Sequence, residues 1–293
     1  MEKLQKTVIR RLRRVSPGRI VVYLFMLALV VFMALPMVYV VVTAFKPLDE
    51  LYKFPPQFYV ENPTVNNFFD LFSSLESADT PFVRYLFNSV LVTVLIVILT
   101  TLVCSMGAFG LVKHTPPGAS VISGIVVASL MVVPQVTTIP TFMIVNGLGL
   151  MDTFWALVLP KVAVAFNFFL VQQFMGQVPN SLLESARLDG ATELGVFFRI
   201  IMPMLRPVIS TLVMFSFTSA WNDYFSALVY TTKDSMKTLP LALQSIAGGV
   251  GGAALARSGA VAASSFLMVL PVVIVFLLMQ RKVIETMAYS GIK

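Results

Sequence analysis

The sequence predicts an all-α polytopic membrane protein, on the basis of its composition and its long uncharged segments. Of its 293 residues, 57% are hydrophobic and only 12% are charged, whereas soluble proteins carry about 25% charged residues. A soluble fold could not bury this much apolar surface, so a water-soluble enzyme, a disordered chain and a secreted disulfide scaffold are excluded. Each of five segments reaches the roughly 20 residues that a transmembrane helix needs. They are residues 20–45, 85–112, 115–151, 162–183 and 258–280.

The first apolar segment is predicted to remain in the protein as an uncleaved span. An arginine run precedes it, as in a signal peptide, but the segment is 26 residues long. The apolar region of a signal peptide has about 7 to 15 residues, and no A-x-A cleavage site follows here. We therefore expect a basic cytoplasmic N-terminus (residues 1–19), a first span (20–45), an extracytoplasmic loop (46–83), a core of five further spans (84–280) and a cytoplasmic tail (281–293).

Six spans with both termini in the cytoplasm give the best account of the charges. With the N-terminus inside, fourteen Lys and Arg residues fall in inner segments and six in outer segments, as the positive-inside rule requires. The net charge of +7 then reflects membrane topology and contact with membrane lipid, not binding of nucleic acid. The spans are expected near residues 20–45, 84–112, 119–145, 153–177, 204–231 and 260–280.

The first outer loop is predicted to be irregular rather than a second domain. Five prolines lie between residues 46 and 83, and proline interrupts regular structure.

The inner loop between spans four and five, residues 177–206, carries the most distinctive local pattern. Ser181 and Glu184 have the spacing of a capping box, which would start a helix at Leu182. Gly190 would then end this helix in the left-handed conformation. A helix of about two turns is unstable in water unless it docks on another surface. That surface could belong to another protein or to the chain's own bundle, and the spacing leaves both possibilities open.

A second helix of the same loop is expected to begin at Thr192. It would continue through Pro203 and lead directly into span five, so that a movement of the loop would be passed into the membrane.

The loop resembles the signature segment of permease subunits from bacterial binding-protein-dependent ABC importers. That signature reads E-A-A, three residues, G, nine residues, I-x-L-P. Here Glu184-Ser185-Ala186 is followed by Gly190 and by Ile200-Ile201-Met202-Pro203, with departures at Ser185 and Met202. Three further segments are similar to the carbohydrate-uptake branch of this family, which includes the maltose permeases. They are residues 146–160, 187–191 and 221–224.

The resemblance implies a passive permease subunit in the bacterial cytoplasmic membrane, with residues 84–280 as its core domain. Its partners would be a second permease subunit, an extracytoplasmic sugar-binding protein and an ATPase dimer that binds ATP and Mg. The chain itself would hold no cofactor, and it lacks the Gly-Lys dipeptide of a phosphate-binding loop. The tail resembles permease ends that reach the ATPase, although a solvated tail fits equally well. The implied ATPase-coupling residues are Glu184, Ser185, Ala186, Arg187, Asp189, Gly190, Ala191 and Pro203.

Span five contains an acid, Asp223, at the predicted depth of the membrane. An acid there costs about 2.5 to 3.5 kcal/mol, so it should face the interior of the bundle. Ser216, Ser219, Asp223, Ser226 and Tyr230 recur at helical spacing and predict one polar stripe. The stripe could bind sugar hydroxyls or could pack against the partner permease. As a substrate path it would comprise Ser219, Trp221, Asn222 and Asp223.

Two other classes of protein are weaker alternatives. An ion-coupled secondary transporter could use Asp223, but the two halves of the chain show no internal repeat. A zinc protease of the membrane would need H-E-x-x-H, and His114 is the only histidine.

Overall fold

A computed structural model describes residues 17–75, 80–247 and 258–290. The described residues form helices joined by turns and loops, which confirms the all-α class. The arginines at positions 10, 11, 13 and 14 and the last three residues of the tail lie outside this range. In chain order the α-helices are α1 (Pro17–Ala44), α2 (Leu48–Leu51), α3 (Asn66–Leu75), α4 (Phe82–Lys113), α5 (Ala119–Ser129), α6 (Pro134–Gly147), α7 (Phe154–Val162), α8 (Ala165–Gln177), α9 (Asn180–Leu188), α10 (Glu193–Val196), α11 (Met202–Met204), α12 (Arg206–Trp221), α13 (Phe225–Tyr230), α14 (Leu239–Ala247) and α15 (Ser258–Ser290).

Three helices are long and apolar enough to cross a membrane without interruption. They are the segments Gly18–Ala44 in α1, Phe82–Lys113 in α4 and Ser258–Gln280 in α15. Three further spans are possible if each of three bent helix pairs counts as one. The described residues therefore contain between three and six spans, and the six expected from the sequence equal the upper number.

Spans three, four and five are each formed by two helices with a bend between them. The angle is 112° between α5 and α6, 44° between α7 and α8, and 81° between the segment Glu193–Met204 and α12. A proline lies near each of these bends, and proline has no backbone N–H with which to continue the hydrogen-bond pattern of a helix. Pro134 opens α6, Pro160 lies in the last turn of α7, and Pro207 lies at the start of α12.

The outer loop predicted to be irregular contains two short helices, α2 and α3. Glu50 is buried in α2, and its carboxylate accepts hydrogen bonds from the backbone N–H groups of Glu61 at 3.0 Å and Asn62 at 2.9 Å. Asn67 donates to the carbonyl oxygens of Ala44 and Lys46 at 3.0 and 2.7 Å. These contacts lie within one compact unit, formed by residues up to Leu71 together with Ser258–Phe266.

The second compact unit, which begins at Phe72, has two separate buried clusters. One lies beside the loop between spans four and five, and we call it the loop-side cluster. The other, the distal cluster, lies beyond the bends of those spans. The loop-side cluster contains Cys104, Ala108, Phe109, Val171, Met175, Val178, Leu183, Val196, Phe197, Ile201, Leu205, Val208 and Leu212. The distal cluster contains Val92, Ile96, Val145, Ala156, Leu157, Val158, Val162, Ala220, Ala227, Tyr230 and Leu241.

Candidate functional site

The short helix predicted in the loop is present as α9, but it begins earlier than expected. It starts at Asn180, directly after Pro179, whose φ of −63° suits the entry to a helix. No side chain caps this end. Ser181 therefore lies inside the first turn, and the predicted capping box between Ser181 and Glu184 is wrong.

Gly190 ends α9 in the left-handed conformation, as predicted. Its φ is +80°. The N–H of Gly190 donates to the carbonyl oxygen of Arg187 at 3.0 Å, and the N–H of Ala191 donates to that of Ala186 at 2.9 Å. This pair of bonds is the Schellman motif, which satisfies the last carbonyl groups of a helix. Asp189 lies at the C-terminal boundary and is exposed.

Thr192 starts the second helix, as predicted, and a charged pair joins the two helices. The Thr192 hydroxyl accepts the N–H of Gly195 at 3.2 Å. Arg187 in α9 donates through Nε and Nη2 to the two carboxylate oxygens of Glu193 in α10, at 2.8 and 3.2 Å. The hydrogen bond to Glu193 raises the pKa of Arg187. His114 Nε2 lies 3.3 Å from Glu193 Oε2, so the end of α4 also reaches this pair.

The two faces of α9 have different environments. Leu183 is only 3% exposed and belongs to the loop-side cluster, and Ala186 packs against that cluster. Glu184 and Ser185 are exposed, and Leu188 is 89% exposed. The helix thus packs on its own bundle through one face and leaves the other face uncovered. The first of the two predicted docking surfaces, the chain's own bundle, is therefore present, and the uncovered face leaves room for the second, another protein.

The beginning of α9 is fixed by the last residue of α4. Lys113 Nζ donates to the carbonyl oxygen of Val178 at 2.5 Å and to Asn180 Oδ1 at 3.0 Å.

The chain does not lead directly from the loop into span five. It passes through a π-helical turn (Phe197–Ile201) and α11, which contains Pro203, and then bends into α12. Pro207 has no N–H to donate to the carbonyl oxygen of Pro203, so one helix ends and another begins. The helix that begins after Thr192 thus reaches Pro203, as predicted, but the predicted straight connection from there into span five is wrong.

The predicted polar stripe of span five is interrupted at its centre. Residues 222–224 separate α12 from α13, because Asn222 and Asp223 bond to the local backbone. Asn222 Nδ2 donates to the carbonyl oxygen of Thr218 at 2.9 Å, and Asp223 Oδ1 accepts the N–H of Ser226 at 3.1 Å. Short polar side chains compete with helical hydrogen bonds in this way.

The four predicted substrate-path residues do not share one surface. Ser219 and Asn222 are exposed, whereas Trp221 is only 4% exposed. The Trp221 indole N–H donates to the carbonyl oxygen of Met268 at 3.1 Å, and its ring stacks on Phe217. Trp221 is therefore packed inside the protein and does not line a surface with Ser219 and Asn222.

Asp223 has a partner that the sequence analysis missed. Lys161 Nζ, in the last turn of α7, lies 2.5 Å from Asp223 Oδ2. The two side chains are 21% and 17% exposed. Charged residues at membrane depth usually pair with one another. Lys161 lies inside predicted span four, and a basic residue at membrane depth was the signal that could have identified this partner.

Asp152 is a second residue that the sequence analysis missed. It lies between α6 and α7 with a φ of +57°, which is unusual for a residue with a side chain. Its carboxylate accepts the hydroxyl of Thr232 at 2.5 Å and the N–H groups of Thr232 and Lys233 at 2.6 and 3.0 Å. These bonds lower the pKa of Asp152, that from the Thr232 side chain most strongly.

The described residues contain no group of three or more His, Cys, Asp or Glu side chains that could hold a metal ion.

Comparison with known structures supports the architecture. A chain of a bacterial ABC transporter involved in the import of the acidic polysaccharide alginate has the same fold, with a TM-score of 0.77 at 22% identity, over 91% of this chain and 98% of that chain.

Relatives in sequence extend over most of the chain. The arabinooligosaccharides transport system permease protein AraQ of Bacillus subtilis (strain 168) is 27% identical over 98% of this chain and 100% of its own length. The polygalacturonan/rhamnogalacturonan transport system permease protein YtcP of the same organism is 31% identical over 77% of this chain and 76% of its own. Protein LplC, also from that organism, is 32% identical over 72% and 70%.

The sequence also matches a family described as the binding-protein-dependent transport system inner membrane component, over residues 12–285. The chain therefore belongs to this family of ABC transporter permeases and is a multi-pass protein of the bacterial cytoplasmic membrane.

Proposed function

We propose that this chain is the membrane-spanning subunit of an ATP-driven saccharide importer, and that α9 docks in a cleft of a separate ATPase. The observation that carries the proposal is the division of α9 into two faces. Leu183 anchors one face in the loop-side cluster, while Leu182, Ser185 and Leu188 leave the other exposed. A nine-residue helix held on its own bundle by one face can present the other to a partner without unfolding.

The saccharide cargo is supported by the relatives and by one exposed polar surface. AraQ and YtcP carry names that specify oligosaccharide and polysaccharide transport. In this chain Ser219 and Asn222 are exposed beside Asp223 at the break in span five. Hydroxyl, amide and carboxylate groups bond sugar hydroxyls, so these three residues are the proposed contacts of this chain with the cargo. Trp221 is left out because it is buried.

Movement of α9 reaches span five by packing rather than through a straight helix. Leu183 shares the loop-side cluster with Met175 of α8 and Leu212 of α12. The Arg187–Glu193 pair and the Thr192 cap hold α9 to α10. Because a packed cluster transmits displacement with little compression, ATP-driven closure of the ATPase would carry these helices together. The coupling is reciprocal, so a loaded sugar-binding protein outside would favour the closed ATPase by the same free energy.

The proposed assembly contains a second permease subunit, two ATPase subunits that bind ATP and Mg, and an extracytoplasmic sugar-binding protein. The large apolar side chains along α1, α5 and α6 that face outward in the isolated chain, among them Phe32, Ile125 and Ile139, support contacts with lipid and with a second permease. The competing function of an ion-coupled secondary transporter rests on Asp223 alone, whereas the family match is to binding-protein-dependent transport systems.

The test is reconstitution with and without the ATPase. The purified chain alone should bind no ATP in a titration up to millimolar concentration and should take up no radiolabelled oligosaccharide in liposomes. The complete complex should take up the oligosaccharide only with ATP, and a hydrolysis-deficient ATPase is the matched control. Saturable ATP binding by the lone chain, or uptake driven by a proton gradient, would contradict the proposal.

A further inference from the structure

The short helix α13 is separated from the rest of span five at its beginning. Residues 222–224 interrupt the span before it, and the backbone is extended at Thr231 after it. A helix of six residues cannot keep its orientation by its own hydrogen bonds. What holds α13 in place therefore decides how the outer part of span five moves.

The first end of α13 is attached to the last turn of α7. Asp223 divides its two carboxylate oxygens between the helices: Oδ1 accepts the N–H of Ser226 in α13, and Oδ2 pairs with Lys161 Nζ in α7. A charge-assisted contact at 2.5 Å between two mostly buried groups is stronger than an exposed ion pair, because water screens it less.

The second end of α13 is attached just before the first turn of α7. Asp152 accepts three hydrogen bonds from Thr232 and Lys233, which follow α13, and its own N–H donates to the carbonyl oxygen of Tyr230 at 3.0 Å. Both ends of α13 are thus bonded to the two ends of α7.

The apolar packing changes from one cluster to the other close to the breaks in spans four and five. In span four, Val158 and Val162 of α7 belong to the distal cluster, whereas Val171 of α8 belongs to the loop-side cluster. In span five, Leu212 of α12 lies in the loop-side cluster, whereas Ala220, near the end of α12, and Ala227 of α13 lie in the distal cluster. Each span therefore has residues in both clusters, and the change from one cluster to the other occurs close to the bend or interruption.

We propose that Lys161 and Asp152 are positioning residues that make α7 and α13 one rigid body, which turns against α8 and α12 at residues 163–164 and 222–224. Movement passed from α9 through the loop-side cluster then reaches the proposed cargo contacts as a rotation between two bodies, not as bending of single helices. This inference depends on the proposed function in one respect, namely that ATP is the source of the movement.

Distances between spin labels test the proposal directly in the complete complex. Trp155 in α7, Leu228 in α13 and Phe215 in α12 are exposed, and the single cysteine, Cys104, is buried. Labels at Trp155→Cys and Leu228→Cys should keep their mean distance within about 1 Å between the nucleotide-free and ATP-bound states. Labels at Phe215→Cys and Leu228→Cys should shift by about 2 Å or more, the scale of helix movements in switching proteins.

Mutation of the attachments provides a test that needs no nucleotide. Lys161→Met combined with Asp152→Ala should broaden the Trp155–Leu228 distance distribution, and Lys161→Arg should leave it narrow. Lys161→Met leaves Asp223 unpaired and could therefore prevent folding. If the yield falls, Lys161→Met is combined with Asp223→Asn as well as with Asp152→Ala, so that both charges of the ion pair are removed. In transport, saccharide imported per ATP hydrolysed should fall about fivefold or more.

The possible outcomes separate this inference from the proposed function. If the complex transports and both label pairs move equally, or neither moves, the rigid body is refuted. If the variant that lacks both attachments keeps a narrow distribution, the attachments do no positioning. If ATP drives no transport at all, the proposed function fails, and the nucleotide-free distributions still decide the inference.

Discussion

Two leucines on opposite faces of α9 allow a matched test of its proposed docking. Leu183 and Leu188 lie in the same nine-residue helix, and both can be shortened to alanine. Leu183 is 3% exposed in the loop-side cluster, whereas Leu188 is 89% exposed. The same chemical change therefore removes packing within the chain at one position and surface available to a partner at the other.

The expected magnitudes follow from these exposures. Shortening a buried leucine costs about 2 to 5 kcal/mol, because apolar contacts are lost and a cavity remains. Leu183→Ala should lower the free energy of unfolding of the chain by an amount in this range. Leu188→Ala removes almost no contact within the chain, so its effect on unfolding should stay within about 0.5 kcal/mol. At the proposed interface, however, loss of a buried anchor should weaken ATPase binding by about 1 to 2 kcal/mol.

Two measurements distinguish these effects. Unfolding of each purified variant in detergent reports packing within the chain, and titration with the isolated ATPase reports docking. Leu188→Ala should unfold like the unmodified chain and bind the ATPase about 5 to 30 times more weakly. The docking argument is refuted if Leu188→Ala binds normally. The assignment of the two faces is refuted if Leu188→Ala destabilises the chain as much as Leu183→Ala.

Two further predictions concern Gly190 and Asp152. Gly190→Val should abolish most ATP-dependent uptake while the protein stays in the membrane, because a β-branched residue does not readily adopt the φ of +80° at this position. No atom lies within 4 Å of an added Cβ, so the effect would come from the backbone conformation and not from a steric clash with a neighbour. Gly190→Asn, which tolerates this backbone region, should retain uptake, and equal activity of both variants would exclude a conformational cause. Asp152→Asn should reduce thermal stability at pH 7. Because the bonds from Thr232 and Lys233 lower the pKa of Asp152, its stabilisation is complete above the ordinary value of about 3.9 and is lost as the pH falls through the lowered pKa. Melting curves of both proteins from neutral to acidic pH should therefore converge only at the acidic end, and a constant difference would contradict the assignment.

Local features of the loop could be predicted correctly because they depend on a few adjacent residues. Gly190 ends α9 because only glycine adopts a positive φ readily, and Thr192 begins α10 because its hydroxyl accepts a nearby N–H. The capping box was predicted wrongly for a reason that is also local. The helix begins at Asn180, directly after Pro179 and two residues before Leu182. The S-x-x-E spacing between Ser181 and Glu184 carries no information about this effect of proline.

The candidate cargo site was predicted only in part. Asp223 was recognised as unusual by its predicted depth in the membrane, but its partner, Lys161, lies 62 positions earlier in the chain. Trp221 was included in the predicted substrate path, but its side chain is buried. Its burial depends on Phe217 and on the carbonyl oxygen of Met268, in another helix.

The sequence by itself determined the membrane class, the segments apolar enough to span a membrane, the end of α9 at Gly190 and the beginning of α10 at Thr192. Apolar length, charge asymmetry and backbone preference are properties of neighbouring residues, so they can be read along the chain. The tertiary structure alone decided which face of α9 is exposed, how spans four and five bend, and that Lys161 and Asp152 attach α13 to α7. These features depend on contacts between segments far apart in the sequence, where the free energy of one residue depends on the positions of many others.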